Sequence, residues 1–192
     1  MKIGIDIGGS HIAIGLVESK GKIVIKKEKN ISKEDRKDIY KFIEETIVIT
    51  TNQILKECKI EKQEIEQIGI ACPGTSKEGI VIKADNVGIY NYPIIERLQK
   101  YFSMPIKISN DAKCAGLCEK KYGALKTYKD AVFICLGTGI GGAVFMNGKM
   151  LQPKRYQGME LGHITIKKDG IECKCGRKRM FRSICINEKV KR

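Results

Sequence analysis

Two glycine clusters carry the first chemical signal in this sequence. Asp6-Ile7-Gly8-Gly9-Ser10 stands near the start, and Gly137-Thr138-Gly139-Ile140-Gly141-Gly142 stands much later. Glycine lets backbone N–H groups approach phosphate oxygens with no Cβ in the way. Ser10 and Thr138 add hydroxyls to the two loops. Neither cluster has the Rossmann or Walker pattern, because each leads into a strand rather than a helix. A single glycine turn is commonplace, but two in duplicated settings point to phosphate.

The acids and the sulfur ligands come next. Asp6 could hold Mg²⁺ through a water or orient a phosphate, or serve only as a turn residue. His11, just past the loop, reads as a packing residue. Asp111 lies where a strand gives way to a helix. It suits a helix N-cap and equally a general base that takes a hydroxyl proton during phosphoryl transfer. Asn110 beside it offers a donor and an acceptor. Glu160 and His163 lie three apart around Gly162 and suit a hydroxylated substrate. Cys173 and Cys175 have ligand-like spacing, with His163 upstream. That makes three donors where a structural zinc takes four.

These residues need strands and turns to hold them. Ile3, Ile5 and Ile7 alternate as in a strand, as do Ile12, Ile14 and Leu16 after the loop. Ser19 to Lys22 reads as a turn and Ile23-Val24-Ile25 as a third strand, so the chain opens as an antiparallel meander. Ser32 with Asp35 resembles a capping box, and the apolar period that follows predicts a helix over about 33–56. Strands are expected over 67–71, 79–83 and 105–109, and helices over 92–101 and 112–122. Then the opening pattern returns: a strand over 131–136, a glycine loop over 137–142, a strand over 143–146 and an Asn147-Gly148 hairpin turn. This repeat suggests two similar domains.

Composition narrows the class. A chain of 192 residues can bury about 70% of its unfolded surface. The net charge of +14 comes from lysines spread end to end, not from a stripe, which disfavours specific nucleic-acid binding. The absence of Trp also disfavours a base-stacking surface. No apolar run approaches the roughly 20 residues that span a bilayer. The N-terminus enters a strand pattern at once and resembles no signal peptide, so a cytoplasmic protein with reduced thiols is expected. Cys58, Cys72, Cys114, Cys118 and Cys135 sit among apolar or small residues and are read as buried.

Together these motifs resemble the ROK family of repressors, open reading frames and sugar kinases, over residues 1–178. Asp6, Gly8, Gly9 and Ser10 are similar to its first phosphate loop. Cys72-Pro73-Gly74 resembles its Pro-Gly turn at the sugar, and Asn110-Asp111 its catalytic motif. The loop holding Gly137, Thr138 and Gly139 resembles the second phosphate loop, and Glu160-Leu161-Gly162-His163 the sugar-binding motif whose His also contacts zinc. The resemblance implies an α/β chain of the actin-like ATPase (ribonuclease H-like) fold, with two domains, the second incomplete. The implied boundaries are 1–110 for the first, 111–178 for the start of the second and 179–192 for a tail. It also implies transfer of the γ-phosphoryl of ATP, with Mg²⁺, to a hexose hydroxyl in a glucokinase-like reaction. Asp111 would be the base. Gly74, Asn110, Asp111, Glu160 and His163 would hold the sugar, and a full-length form would be a homo-oligomer.

The pattern breaks after Lys178. The family continues with Gly, Cys and Glu where this chain has Arg179, Met180 and Arg182. The implied zinc site is then His163, Cys173 and Cys175 without its last cysteine. Removing one base from AT-rich codons for the tail restores Gly, Cys and Glu in register, which suggests an out-of-frame, weakly packed end. On that reading the chain has little kinase activity. The rival is a sugar-binding ROK protein without kinase activity, whether relic or regulator.

Overall fold

The computed structural model describes residues 1–137, 139–152, 160–166, 172–173, 176, 178 and 180–181. By its internal contacts the chain divides into two compact units, Met1–Asp111 and Ala112–Arg192.

The first unit starts with the expected meander: β1 (Lys2–Ile7), β2 (His11–Val17) and β3 (Ile23–Asn30). Both pairings are antiparallel, with Ile5 opposite Ile14 and Ile7 opposite Ile12. The capping box between Ser32 and Asp35 forms, but it introduces a 3-10 turn over Asp35–Asp38 rather than the long helix. Asp38 leaves helical geometry and its carboxylate accepts from the Lys41 N–H, so α1 runs over Ile39–Cys58. Lys59, left-handed at φ 55°, ends it. The β-branched run 46–51 stays helical because Ile43, Ile47 and Ile54 pack into the core from one face.

Next come β4 (Gln67–Cys72), β5 (Thr75–Lys77), β6 (Ile80–Ala84), β7 (Ile89–Tyr92), α2 (Ile94–Gln99) and β8 (Ile106–Asn110). Strands β5, β6 and β7 form a small antiparallel sheet, of which only the middle strand is legible in the periodicity. The outer two are short and half polar. The main sheet has the order β3-β2-β1-β4-β8, with β4 parallel to β1 and β8 parallel to β4. Glu44 on α1 ties the α2 region down, accepting from Arg97 Nε at 2.7 Å and Tyr101 Oη at 2.9 Å.

The second unit holds most of α3 (Asp111–Tyr122), then β9 (Ala131–Leu136), β10 (Ile140–Met146) and β11 (Lys149–Met150), in the sheet order β11-β10-β9. Asn147 and Gly148 make the hairpin turn, both with positive φ. The second glycine loop is shorter than the sequence suggests, because Gly141 and Gly142 lie within β10. A Cβ on Gly141 would meet Ala112 at 2.5 Å, and one on Gly142 would meet Leu161 at 2.7 Å. Packing, not a turn, demands those glycines.

The thiols differ from the expectation. Cys72 is buried, but Cys58, Cys114 and Cys135 are half-buried and Cys118 is exposed. Cys58 ends α1, Cys114 and Cys118 lie on the helix over Asp111–Tyr122 and Cys135 on the strand over Ala131–Leu136, and small or apolar neighbours in sequence do not by themselves bury a side chain. Among the described residues no helix is long and apolar enough to cross a membrane.

One buried group in α1 is poorly satisfied. The Thr51 hydroxyl is enclosed with no hydrogen-bond partner among the described residues. Leaving such a group unpaired costs about 1–3 kcal/mol. Thr51→Val keeps the shape and removes the orphan, and should raise unfolding stability by about 1 kcal/mol. Denaturant melts of the two proteins test this, and a less stable variant would contradict it.

Candidate functional site

Parallel strands deliver their ends to one side, and in the main sheet those ends carry the predicted residues. Asp6 pairs with Ala71 across β1 and β4, and Cys72 pairs with Asn110 across β4 and β8. The carboxyl ends of adjacent parallel strands are where α/β sheets bind ligands. Beyond β4 the chain turns through Pro73 and Gly74. Gly74 has φ +82°, and a Cβ on it would fall onto the Lys83 carbonyl oxygen, so no other residue fits this turn. The Asn110 side-chain N–H donates to the Gly74 carbonyl at 3.2 Å. That bond joins the Pro-Gly turn to the strand end that carries Asp111, the first residue of α3.

The first glycine loop closes on itself, the Gly8 N–H donating to the His11 carbonyl at 2.9 Å. Ser10 Oγ lies 3.2 Å from His11 Nδ1. The loop is held from both sides by residues the sequence reading missed. Arg36, on the 3-10 turn, donates to the Gly9 carbonyl. On the other side, a Cβ on Gly9 would come within 3.0 Å of the Asn86 carbonyl oxygen. Asn86 sits in the β6–β7 turn, where Asp85, Asn86 and Gly88 are turn-forming types and were a usable signal. Arg36 had none, because its approach depends on the 3-10 turn replacing the first turns of a helix.

In the second unit the glycine loop comprises Gly137 to Gly139, closed by the Gly137 N–H on the Gly139 carbonyl at 2.9 Å. Thr138 lies outside the described residues. Glu160 precedes a short 3-10 turn, Leu161–His163, whose Gly162 rests against the Ile140 carbonyl, immediately past the loop. The unit therefore brings Glu160 and His163 beside the loop that the sequence reading linked to phosphate. Glu160 is exposed and His163 half-buried.

Of the sulfur ligands, Cys173 is buried and begins a turn closed by the Gly176 N–H at 2.9 Å. Cys175 lies outside the described residues. Met180 is buried and bridges to Thr165, two residues past His163. Among the described residues no group of three or more His, Cys, Asp or Glu could hold a metal ion.

Known proteins resolve what this arrangement is related to. The ROK family matches over residues 2–188, past Lys178, where the motif reading ended. The chain belongs to the ROK family. It is 31% identical to a glucokinase of Thermotoga maritima, over 99% of this chain and 58% of that protein. It is 28% identical to a xylose repressor of Caldicellulosiruptor bescii, over 91% of this chain and 43% of the repressor. The crystal structure of a ROK glucokinase from Streptomyces griseus in complex with glucose and AMPPNP superposes with a TM-score of 0.73 at 26% identity, covering 94% of this chain and 55% of that one. The fold is thus the actin-like ATPase, ribonuclease H-like fold that the resemblance implied. The chain spans about half the length of the relatives it matches.

Two carboxyl groups influence each other at the strand ends. Asp6 is exposed by area, yet surrounding protein desolvates its carboxyl, and the Asp111 charge adds repulsion. Together they raise it above its ordinary 3.8, with His11 and Lys26 pulling less strongly the other way. The Cys72 thiol is pushed up to about 12 by burial, then by Asp111 and Asp6, so it stays protonated and inert. A carboxyl with a raised folded value holds its proton more tightly in the folded state. Stability is therefore lost as pH rises from 3.8 through that folded value. Asp6→Asn removes the charge, so the variant should melt higher than the parent near neutral pH, with the gap closing below pH 3.8. Thermal melts across pH test this, and equal melting points near neutrality would refute it.

Proposed function

We propose that this chain carries the sugar- and phosphate-binding face of an ATP-dependent hexose kinase, glucokinase-like in its acceptor. The observation that carries the reading is the Asn110–Gly74 bond at 3.2 Å. It links the turn expected at the sugar to Asp111, and these belong to a chain similar to a glucokinase solved with glucose and AMPPNP. Asp111 is the general base that accepts the proton of the attacking hydroxyl. Gly74, Asn110, Glu160 and His163 hold the sugar. Gly8, Gly9 and Ser10 form one phosphate loop, and Gly137, Thr138 and Gly139 the other. A Cβ on Gly137 would meet nothing within 4 Å, so open space lies beside the backbone there. Mg²⁺, when bound with ATP, neutralises charge on the phosphates, and Asp6 is the carboxylate suited to hold it through water.

The 192-residue chain by itself should bind hexose better than it turns it over. The relative named as a xylose repressor supports a second reading, a sugar-binding protein without kinase activity. One pair of measurements separates the two. In a version of full family length, Asp111→Asn should lower kcat by about 10²-fold or more while glucose affinity by calorimetry changes little. Near-normal turnover would reduce Asp111 to a helix cap. Glucose binding by the parent with no phosphorylation would favour the non-enzymatic reading.

The residues fit zinc only in part. His163, Cys173 and Cys175 supply three donors, and the buried Met180 offers a thioether where thiolate would bind far better. Zinc should therefore be lost on dialysis against a mild chelator, as read by metal analysis. Stoichiometric retention would show a stronger donor set.

A further inference from the structure

The first glycine loop has its carbonyls committed and its N–H groups open. The Gly9 carbonyl accepts from the Arg36 guanidinium. The Ser10 carbonyl accepts from the Ile31 N–H at 2.8 Å, and the His11 carbonyl from the Gly8 N–H at 2.9 Å. Three successive acceptors are thus taken up by the protein itself. Among the described residues no acceptor takes the N–H of Gly9 or of Ser10. Successive open N–H groups beside a hydroxyl are donors suited to an anion.

Two of those three bonds belong to the strand framework. Ile31 directly follows β3, and Gly8 and His11 close the β1–β2 hairpin. The third comes from a side chain 27 residues further along the chain. The 3-10 turn that carries Arg36 also settles its acidic neighbours. Asp35 is engaged by Ser32, Asp38 by the Lys41 N–H and Glu34 by Lys37. The flanking acids therefore have other partners, and the guanidinium reaches the loop instead.

That bond controls a donor as well as an acceptor, because a peptide is planar and trans. The Gly9 C=O and the Ser10 N–H belong to one peptide and point in opposite directions. Holding the carbonyl on Arg36 keeps the N–H on the other side of the loop. Glycine is the residue next to which such a plane turns over at low cost. A turned peptide would present its carbonyl oxygen where the N–H had stood, and an anion there would meet repulsion. Asn86 limits displacement of Gly9, since even a Cβ would come within 3.0 Å of its carbonyl oxygen. Rotation of the peptide plane is left to Arg36.

We propose, resting on the phosphate reading of this loop, that Arg36 is a positioning residue that holds the Gly9 carbonyl so that the Ser10 N–H stays available to a phosphate group of the ligand. Arg36 acts through the Gly9–Ser10 peptide and not by touching the phosphate.

The test is an NMR titration of the isotope-labelled full chain with inorganic tripolyphosphate, read at the Gly9 and Ser10 amide signals. Both signals should shift in the parent. Arg36→Met keeps the aliphatic stem and removes every donor, and should weaken binding read at those signals at least about five-fold. In the ligand-free variant the Ser10 signal should broaden as its peptide exchanges between two orientations. Arg36 is exposed, so the variant should keep the parent's melting temperature. Arg36→Lys retains a donor and should recover part of the affinity. Lys33→Met removes an equal charge at an exposed neighbouring site and should bind as the parent does. Equal affinity in the parent and Arg36→Met, or an equal loss in Lys33→Met, would overturn the role of Arg36 and leave the phosphate reading intact. A parent whose Gly9 and Ser10 signals ignore tripolyphosphate would overturn the phosphate reading itself, and the role of Arg36 with it.

Discussion

A strand can send only every second side chain into a core, and in the first unit nearly every such position is isoleucine. Ile3, Ile5 and Ile7, Ile12 and Ile14, Ile68 and Ile70 all face α1 in register. A slip of one residue in any pairing would expose that strand's isoleucines and bury the other set. The other set of β1 includes Asp6, whose carboxylate would then lie in hydrocarbon at large cost. The register is thus fixed by apolar area, and the position of Asp6 follows from it. So does the alignment of the β4 and β8 ends, which brings Gly74 and Asn110 within one hydrogen bond.

The same constraint sets the local electrostatics. The face opposite the isoleucines carries Gly4, Ala13, Gly15, Gly69 and Ala71, which offer no charge to Asp6. Its nearest strong influence besides burial is another carboxylate, Asp111, in a chain whose net charge is +14. His11 and Lys26 draw Asp6 the other way less strongly, and Lys26 is also paired with Glu28 on β3. Local costs of this kind gather where a structure serves a ligand rather than its own packing.

Much of this was legible in the sequence, for identifiable reasons. The meander, the parallel strands and α3 were readable because isoleucine alternates with polar or small residues, or because a helix begins at an acid after a strand. What failed to show was set by contacts distant in sequence. The start of α1 depends on Asp38 capping Lys41, which competes with the equally plausible Ser32 box. The outer strands of the small sheet are too short to show a period. Arg36 reaches Gly9 only because of a 3-10 turn. The glycine loops and the acids were visible as residue types. The bond from Asn110 to Gly74, which joins the Pro-Gly turn to the end of β8, spans 36 residues and leaves no local trace.

The second glycine cluster shows how one motif can mix two physical demands. Its six positions read as a continuous phosphate loop, yet the turn uses only Gly137 to Gly139. Gly141 and Gly142 are strand residues kept small because Ala112 and Leu161 press against opposite faces of β10. Gly116 does the same for α3 at Ala143. The second unit is therefore assembled by close backbone approach where the first is assembled by large side chains. Close approach buries little apolar area per contact, and Val132, Ile134 and Leu136 of β9 stay exposed. The glycines that bring α3 and the Leu161–His163 turn close to the sheet also hold Glu160 and His163 next to the loop. Enlarging Gly162 would move that turn off Ile140 and carry both polar residues away together.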